Sequence, residues 1–224
     1  MQNTVIIITG TSKGIGKYLS EYYLNKDNTV IGCSRGESCV NHKNYEHYQL
    51  SVSDEKAVVR MVRNVAKKYD KIDVLINNAG IASMNHLLLT PLTTWQKIYN
   101  TNVFGTFLFS REAGKIMSKR KAGRIINFAT VAAPLKLEGE MAYASSKNAI
   151  VNMTQIMAKE LGAYNITCNA IGPTPVYTDL IKNVSEEKIK LLIEHQAIKR
   201  YGEFRDISNV IDFFIKPESD FITG

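Results

Sequence analysis

Long apolar runs are missing from this chain of 224 residues, and none approaches the length of a membrane span. The opening Met1-Gln2-Asn3-Thr4 has no basic region ahead of the first apolar run. A secretory leader is not expected, and the expected location is cytoplasmic. Cysteine is scarce: Cys33, Cys39 and Cys168 show neither metal nor redox spacing, so reduced thiols are expected. The four histidines, His42, His47, His86 and His195, lack ligand spacing, and no metal is expected. Linkers, repeats, low-complexity segments and hairpin signals are also missing. One domain over 1–224 is therefore expected. The single tryptophan, Trp95, reads as a packing residue. Acids are outnumbered, 21 against 28 lysines and arginines, for a net charge of +7. Such an excess attracts nucleic acid, acidic proteins or anionic metabolites. The one dense basic run, 115–124, lacks interleaved aromatics and reads as a solvated helix end. Neither nucleic acid nor membrane is an expected partner.

What is present is alternation. Apolar, β-rich runs at 4–9, 29–33, 45–50, 72–76, 124–128 and 166–171 alternate with helical patterns. Those helices are expected at 15–24, 54–69 (capped by Ser53), 93–117 (opened by a capping box at Thr93-Thr94-Trp95-Gln96), 141–161, 185–196 and 206–215. The stretch between Ser34 and Tyr45 is short for a helix and is expected to be mostly loop. Strands interleaved with helices imply right-handed crossovers and a parallel sheet covered on both faces, an α/β fold.

Three local patterns carry chemistry. Thr9-Gly10-Thr11-Ser12-Lys13-Gly14-Ile15-Gly16 follows the apolar run Val5-Ile6-Ile7-Ile8. A strand, a glycine turn and a helix start aim backbone N–H groups and a helix dipole at an anion. Glycine lets the backbone approach a pyrophosphate closely. Asn77-Asn78-Ala79-Gly80 follows another apolar run. Tyr143 and Lys147, at i and i+4, share one helix face. A phenol titrates near pH ~10, and lowering that by about three units needs about 4 kcal/mol of differential interaction. An exposed ion pair cannot supply this, so Tyr143 requires a partly desolvated site.

In this order and spacing the patterns resemble the short-chain dehydrogenase/reductase family over nearly the whole chain. The matched residues are Gly10, Gly14, Ile15 and Gly16, Asn77 to Gly80, Asn102, Thr130, Tyr143, Lys147, Pro173 and Thr178. The resemblance implies a Rossmann-type doubly wound parallel sheet in a three-layer α/β/α sandwich. It implies hydride transfer between a nicotinamide and a carbonyl or hydroxyl carbon, with Tyr143 as the acid/base. Lys147 would also hold the nicotinamide ribose, Asn102 a relay water, and Thr130, where the family usually has serine, the substrate oxygen. The substrate could be a small ketone, a sugar derivative or an acyl thioester. The last would come on an acidic acyl carrier protein, for which Lys121 is near a docking position and Tyr164 replaces a second base. The competing reading is a non-catalytic dinucleotide-binding regulator or scaffold, suggested by Ser51, Thr130 and Thr174.

The cofactor expected is NADP(H) rather than NAD(H). The second strand ends Gly32-Cys33-Ser34-Arg35 with no acid before Glu37, and Lys13, Ser34 and Arg35 could meet a 2′-phosphate. Further cofactor contacts implied are Ser12, Ser51 and Val52, Asn78, Ala79 and Gly80, and Pro173, Val176 and Thr178. A substrate lid is expected at about 174–200. The helices opening near Thr93 and Met141 imply a homodimer or homotetramer. The family normally adds a further strand after Phe221-Ile222-Thr223-Gly224, so either more chain follows or the sheet edge is open.

Overall fold

The computed structural model describes residues 3–182 and 184–224. Six strands form one parallel sheet: β1 (Val5–Thr9), β2 (Thr29–Ser34), β3 (Tyr45–Gln49), β4 (Val74–Asn77), β5 (Gly123–Phe128) and β6 (Ile166–Ile171). Their order is β3-β2-β1-β4-β5-β6. The helices are α1 (Gly14–Leu24), α2 (Glu55–Tyr69), α3 (Leu92–Tyr99), α4 (Gly105–Arg120), α5 (Ala132–Leu135), α6 (Met141–Gly162), α7 (Glu186–His195) and α8 (Phe204–Ile215). No helix among the described residues is long and apolar enough to cross a membrane.

Strand alternation builds the three layers. Val5 and Ile7 of β1 pack toward Val58, Met61, Phe109 and Ala158 of α2, α4 and α6. Ile6 and Ile8 face the other way, toward Leu19 of α1 and Ile207 and Ile211 of α8. Burying each such side chain contributes roughly 1.5–3 kcal/mol. A strand buried on both faces reads as an unbroken apolar run, as β1 does.

The expected alternation holds, and 35–44 contains no helix. Four local details differ. The N-cap of α2 is Asp54, whose carboxylate accepts from the Ala57 N–H at 3.0 Å, while the Ser53 hydroxyl pairs with Ser51. The capping box at Thr93 does not form, because the helix already begins at Leu92 behind Pro91, whose fixed φ suits that position. The long helix expected from there is interrupted by a π-helical turn, Asn100–Phe104, which holds Asn102. The short α5 carries Pro134 and gives no periodic signal of its own.

Beyond α8, residues 222–224 run beside the outer strand β6. The Gly224 N–H donates to Cys168 O at 2.9 Å, the Cys168 N–H donates to the Thr223 hydroxyl at 3.0 Å, and Asn169 Nδ2 donates to Ile222 O at 2.9 Å. That edge is thus partly covered at Cys168 and Asn169.

Candidate active site

Every residue singled out for the cofactor or for catalysis lies at or beyond the C-terminal end of a strand, or on a helix that follows one. The strand order reverses direction between β1 and β4, and the crevice at such a switch point is where α/β sheets hold ligands.

The turn from β1 to α1 is set by Gly10 (φ +77°) and Gly14 (φ +57°), a backbone region that side chains resist. A Cβ on Gly16 would stand 2.2 Å from Gly10 O, so α1 can close onto the turn only with glycine there. The neighbouring loop after β4 locks the turn. Asn78 Nδ2 donates to Thr9 O at 2.8 Å, and the Ala79 N–H donates to the Thr9 hydroxyl at 2.9 Å. Beneath it, Asn77 Nδ2 donates to Ser110 Oγ and Asn127 Oδ1, and Asn127 donates to Thr154, tying β4 and β5 to α4 and α6. The first turn of α1 carries no acid, and Lys13 at its N-cap makes no side-chain cap. Its amides and dipole therefore face outward as an anion site, with Ser12 and Ile15 on the turn and the methyl of Thr178 against Gly14. This cradle fits the pyrophosphate of a dinucleotide.

At the end of β2, Arg35 is exposed. The Ser34 hydroxyl donates to Gly36 O at 2.7 Å and meets His47. Lys13 does not stand beside Arg35 as a free cation. Its ammonium pairs with Asp179 at 2.8 Å, and with Lys182 it holds that carboxyl down to about 2. Of the two residues after β3, Ser51 is half-buried, and the Val52 side chain packs into the core against Gly105 of α4.

Toward the other half of the crevice, Tyr143 and Lys147 are both buried on α6. Lys147 Nζ donates to Phe128 O at 2.6 Å and lies 5.9 Å from the Tyr143 ring centroid. Burial drives this ammonium down to about 8. Burial pushes the Tyr143 phenol up to about 12, with the Thr130 hydroxyl pulling the other way and the Glu140 charge adding to the rise. The expected stabilisation of phenolate by the lysine is therefore not what the side chains arrange. The ammonium is directed at a backbone carbonyl, and the phenol stays protonated at neutral pH. Gly80 leaves room at this point: a Cβ there would stand 3.4 Å from Asn102 Oδ1 and 3.5 Å from Lys147 Nζ.

Asn102 is fully buried and engaged by protein partners. Its side chain exchanges two hydrogen bonds with the Ile81 backbone at 2.9 and 3.0 Å and donates to Ser146 Oγ at 3.0 Å. Ser146 donates onward to Tyr143 O at 2.7 Å, which couples the loop after β4 to α6. Thr130 follows β5, and Gly172 packs against its backbone, which brings the Pro173 turn beside it. From there Val176 bridges to Gly202, so the segment carrying α7 starts and ends on one anchor.

Two openings flank this centre. One of about 270 Å³ is lined by Leu87, Thr90, Leu92, Trp95 and Met141. The other, about 560 Å³, lies between the Gly172–Thr174 turn and α8, and neither Tyr143 nor Lys147 lines it. Glu140, Ser146 and Asp179 were not legible as site residues. Glu140 precedes Tyr143 by three positions, a spacing that hints at a shared helix face.

The family model described as short chain dehydrogenase matches residues 4–189. The chain is 28% identical to the 3-oxoacyl-acyl-carrier-protein reductase FabG of Vibrio harveyi, over all of this chain and 94% of that one. It is 31% identical to the NAD-dependent glycerol dehydrogenase of Listeria innocua, over 98% of this chain and 89% of that one. Among solved structures, ElxO with NADP bound superposes with a TM-score of 0.90 at 30% identity, covering 100% of this chain and 95% of that one. On the fold, the crevice and this match, the chain belongs to the short-chain dehydrogenase family and is an NAD(P)-dependent oxidoreductase.

Proposed function

We propose that the protein is an NADP(H)-dependent carbonyl reductase in which Tyr143 is the proton donor. The observation that carries this reading is a buried, protonated phenol on the same helix as a buried ammonium, both beside the gap left by Gly80. NADP fits the cradle for three reasons. The α1 N-terminus lacks an acid, β2 ends without one, and exposed Arg35 is available to a 2′-phosphate. Lys13 would join Arg35 by exchanging its exposed, solvent-screened pairing with Asp179. The relative ElxO, solved with NADP, supports the same choice.

When bound, the nicotinamide supplies the hydride that the carbonyl carbon takes up. The Tyr143 Oη proton goes to the carbonyl oxygen, and the Thr130 hydroxyl donates a hydrogen bond to that oxygen as charge develops on it. Burial suits Tyr143 to this direction, because a phenol held near 12 is protonated at neutral pH yet acidic enough to quench an alkoxide. Lys147 would hold the cofactor ribose and return a proton to Tyr143, giving up its hydrogen bond to Phe128 O to do so. Asn102 positions α6 through Ser146. Gly10, Ser12, Gly14, Ile15 and Gly16 would hold the pyrophosphate. Asn78, Ala79, Gly80, Ser51 and Val52 would bind on the adenosine side, and Pro173, Val176 and Thr178 on the nicotinamide side. The segment 174–200 acts as the lid. Subunits pair through α4, the π-helical turn before it and α6, where Phe107, Phe104 and Ile156 are exposed. An acyl carrier protein would approach Lys121, exposed at the end of α4.

The test is NADPH oxidation with a panel of carbonyl compounds. Tyr143→Phe is expected to lose about 10²- to 10⁴-fold in kcat while binding NADPH unchanged. Full activity in that variant contradicts the reading.

A further inference from the structure

The segment after β2 that carries Arg35 is gripped from the outer strand β3. Tyr45, His47 and Gln49 are alternate residues of β3, so their side chains share one face of the strand. Glu46, between them, turns the other way, to Lys68 and Tyr69 at the end of α2. Gln49 Nε2 donates to Arg35 O at 3.0 Å. His47 Nε2 stands 3.0 Å from Gly36 O. A carbonyl only accepts, so that nitrogen carries the imidazole proton and is the donor. The Tyr45 hydroxyl hydrogen-bonds Ser38 Oγ at 3.1 Å and, on the glycine turn, Thr11 Oγ1 at 2.9 Å. Gly32 of β2 makes that reach possible, because a Cβ there would stand 2.2 Å from the Tyr45 hydroxyl oxygen. The Tyr45 and His47 rings stack with centroids 6.1 Å apart.

These bonds complete a run of occupied carbonyls. Cys33 O accepts from the Gly10 and Thr11 N–H groups, and Ser34 O accepts from the Leu50 N–H. Arg35 O accepts from Gln49, and Gly36 O accepts from His47 and from the Ser34 hydroxyl. The N–H groups of Gly36 and Glu37, by contrast, meet no acceptor among the described residues, and Arg35, Gly36 and Glu37 are exposed. A segment whose carbonyls are all engaged and whose amides and guanidinium point outward presents donors alone to an anion. A segment ordered before binding also avoids the entropy that a loose one loses on binding. Resting on the NADP(H) reading above, we propose that His47 and Gln49 are positioning residues for cofactor selection. From β3 they hold 34–38 in the form that offers Arg35 and the neighbouring amides to a 2′-phosphate. They act through the Arg35 and Gly36 carbonyls, and the selectivity of the site for NADP(H) is set partly from this edge strand.

The experiment is calorimetric titration of the full chain with NADPH and with NADH, in wild type and three variants. His47→Phe keeps a ring against Tyr45 and removes the donor to Gly36 O. Gln49→Leu removes the donor to Arg35 O. His47→Gln, the conservative change, puts an amide donor where Nε2 stood. His47→Phe and Gln49→Leu are each expected to weaken NADPH by about five- to tenfold, the loss of one hydrogen bond, and to leave NADH within about twofold. His47→Gln is expected to recover most of the NADPH affinity. Retained NADH binding reports that the fold and the pyrophosphate cradle are intact in each variant. An NADPH-to-NADH ratio unchanged in either His47→Phe or Gln49→Leu overturns the proposal, including the case in which both cofactors weaken alike. A wild-type preference for NADPH then leaves the cofactor reading standing. Wild-type preference for NADH overturns that reading, and this inference with it.

Discussion

The two halves of the crevice are built differently. On the side of β1, α1 and the loop after β4, backbone meets backbone at distances that admit no side chain, as at Gly16 against Gly10 O. On the side of the substrate, the walls are connecting segments outside the sheet: 81–91, 129–140 with the short α5, and 172–203 with α7. Leu88 there is 83% exposed, and Glu140 keeps an unpaired carboxyl. One half is a fixed cradle whose form is set by a shared cofactor. The other is assembled from segments outside the sheet, on which the sheet's pairing does not depend. Cofactor chemistry is therefore written in tight local contacts, and substrate choice in a few side chains on loops.

The sharpest way to break that contrast is substitution of glycines. Gly16→Val forces a branched side chain into Gly10 O. It is expected to cost about 1–3 kcal/mol of stability and to abolish NADPH binding. Gly36→Ala, with nothing within 4 Å of the added methyl, is expected to stay within about ±0.5 kcal/mol. Denaturant melts of both, with cofactor titration, check the pair. Equal effects would mean that the turn is not the rigid element described.

Lys147 sharpens the comparison on the catalytic side. Its ammonium is held down to about 8 from an ordinary 10.5, so the unfolded chain binds more protons than the folded one between those values. Stability contributed at this position therefore rises with pH from about 8 to 10.5, and the cost of burying the charge is nearly complete at pH 7. Lys147→Met should lose that rise, so the stability difference between wild type and variant should climb across the window, while activity falls. A difference curve flat across the window contradicts a buried, depressed ammonium.

How much of this was legible follows from where the information sits. Val5 to Ile8 announce a central strand because both of their faces are buried. The glycine turn and the Tyr143–Lys147 pair are local spacings, readable without a structure. Contacts between distant segments are not. Lys13 meets Asp179 across the glycine turn, and no local pattern signals that pairing. The N-cap of α2 moved by one residue because both Ser53 and Asp54 suit the role and only geometry chooses. Lys147 was expected to face the phenol on spacing alone, yet the Phe128 carbonyl lies within its reach and takes the hydrogen bond. Glu140 stands out only once the loop around it shows that nothing pairs with its carboxyl.

The central claim is that the cradle selects NADP(H), and calorimetric titration with NADPH and with NADH tests it most directly. The account predicts clear preference for NADPH, with Arg35→Ala weakening NADPH by about tenfold, worth about 1.4 kcal/mol, and leaving NADH unchanged. Preference for NADH, or an Arg35→Ala protein that binds NADPH as tightly as wild type, would contradict it.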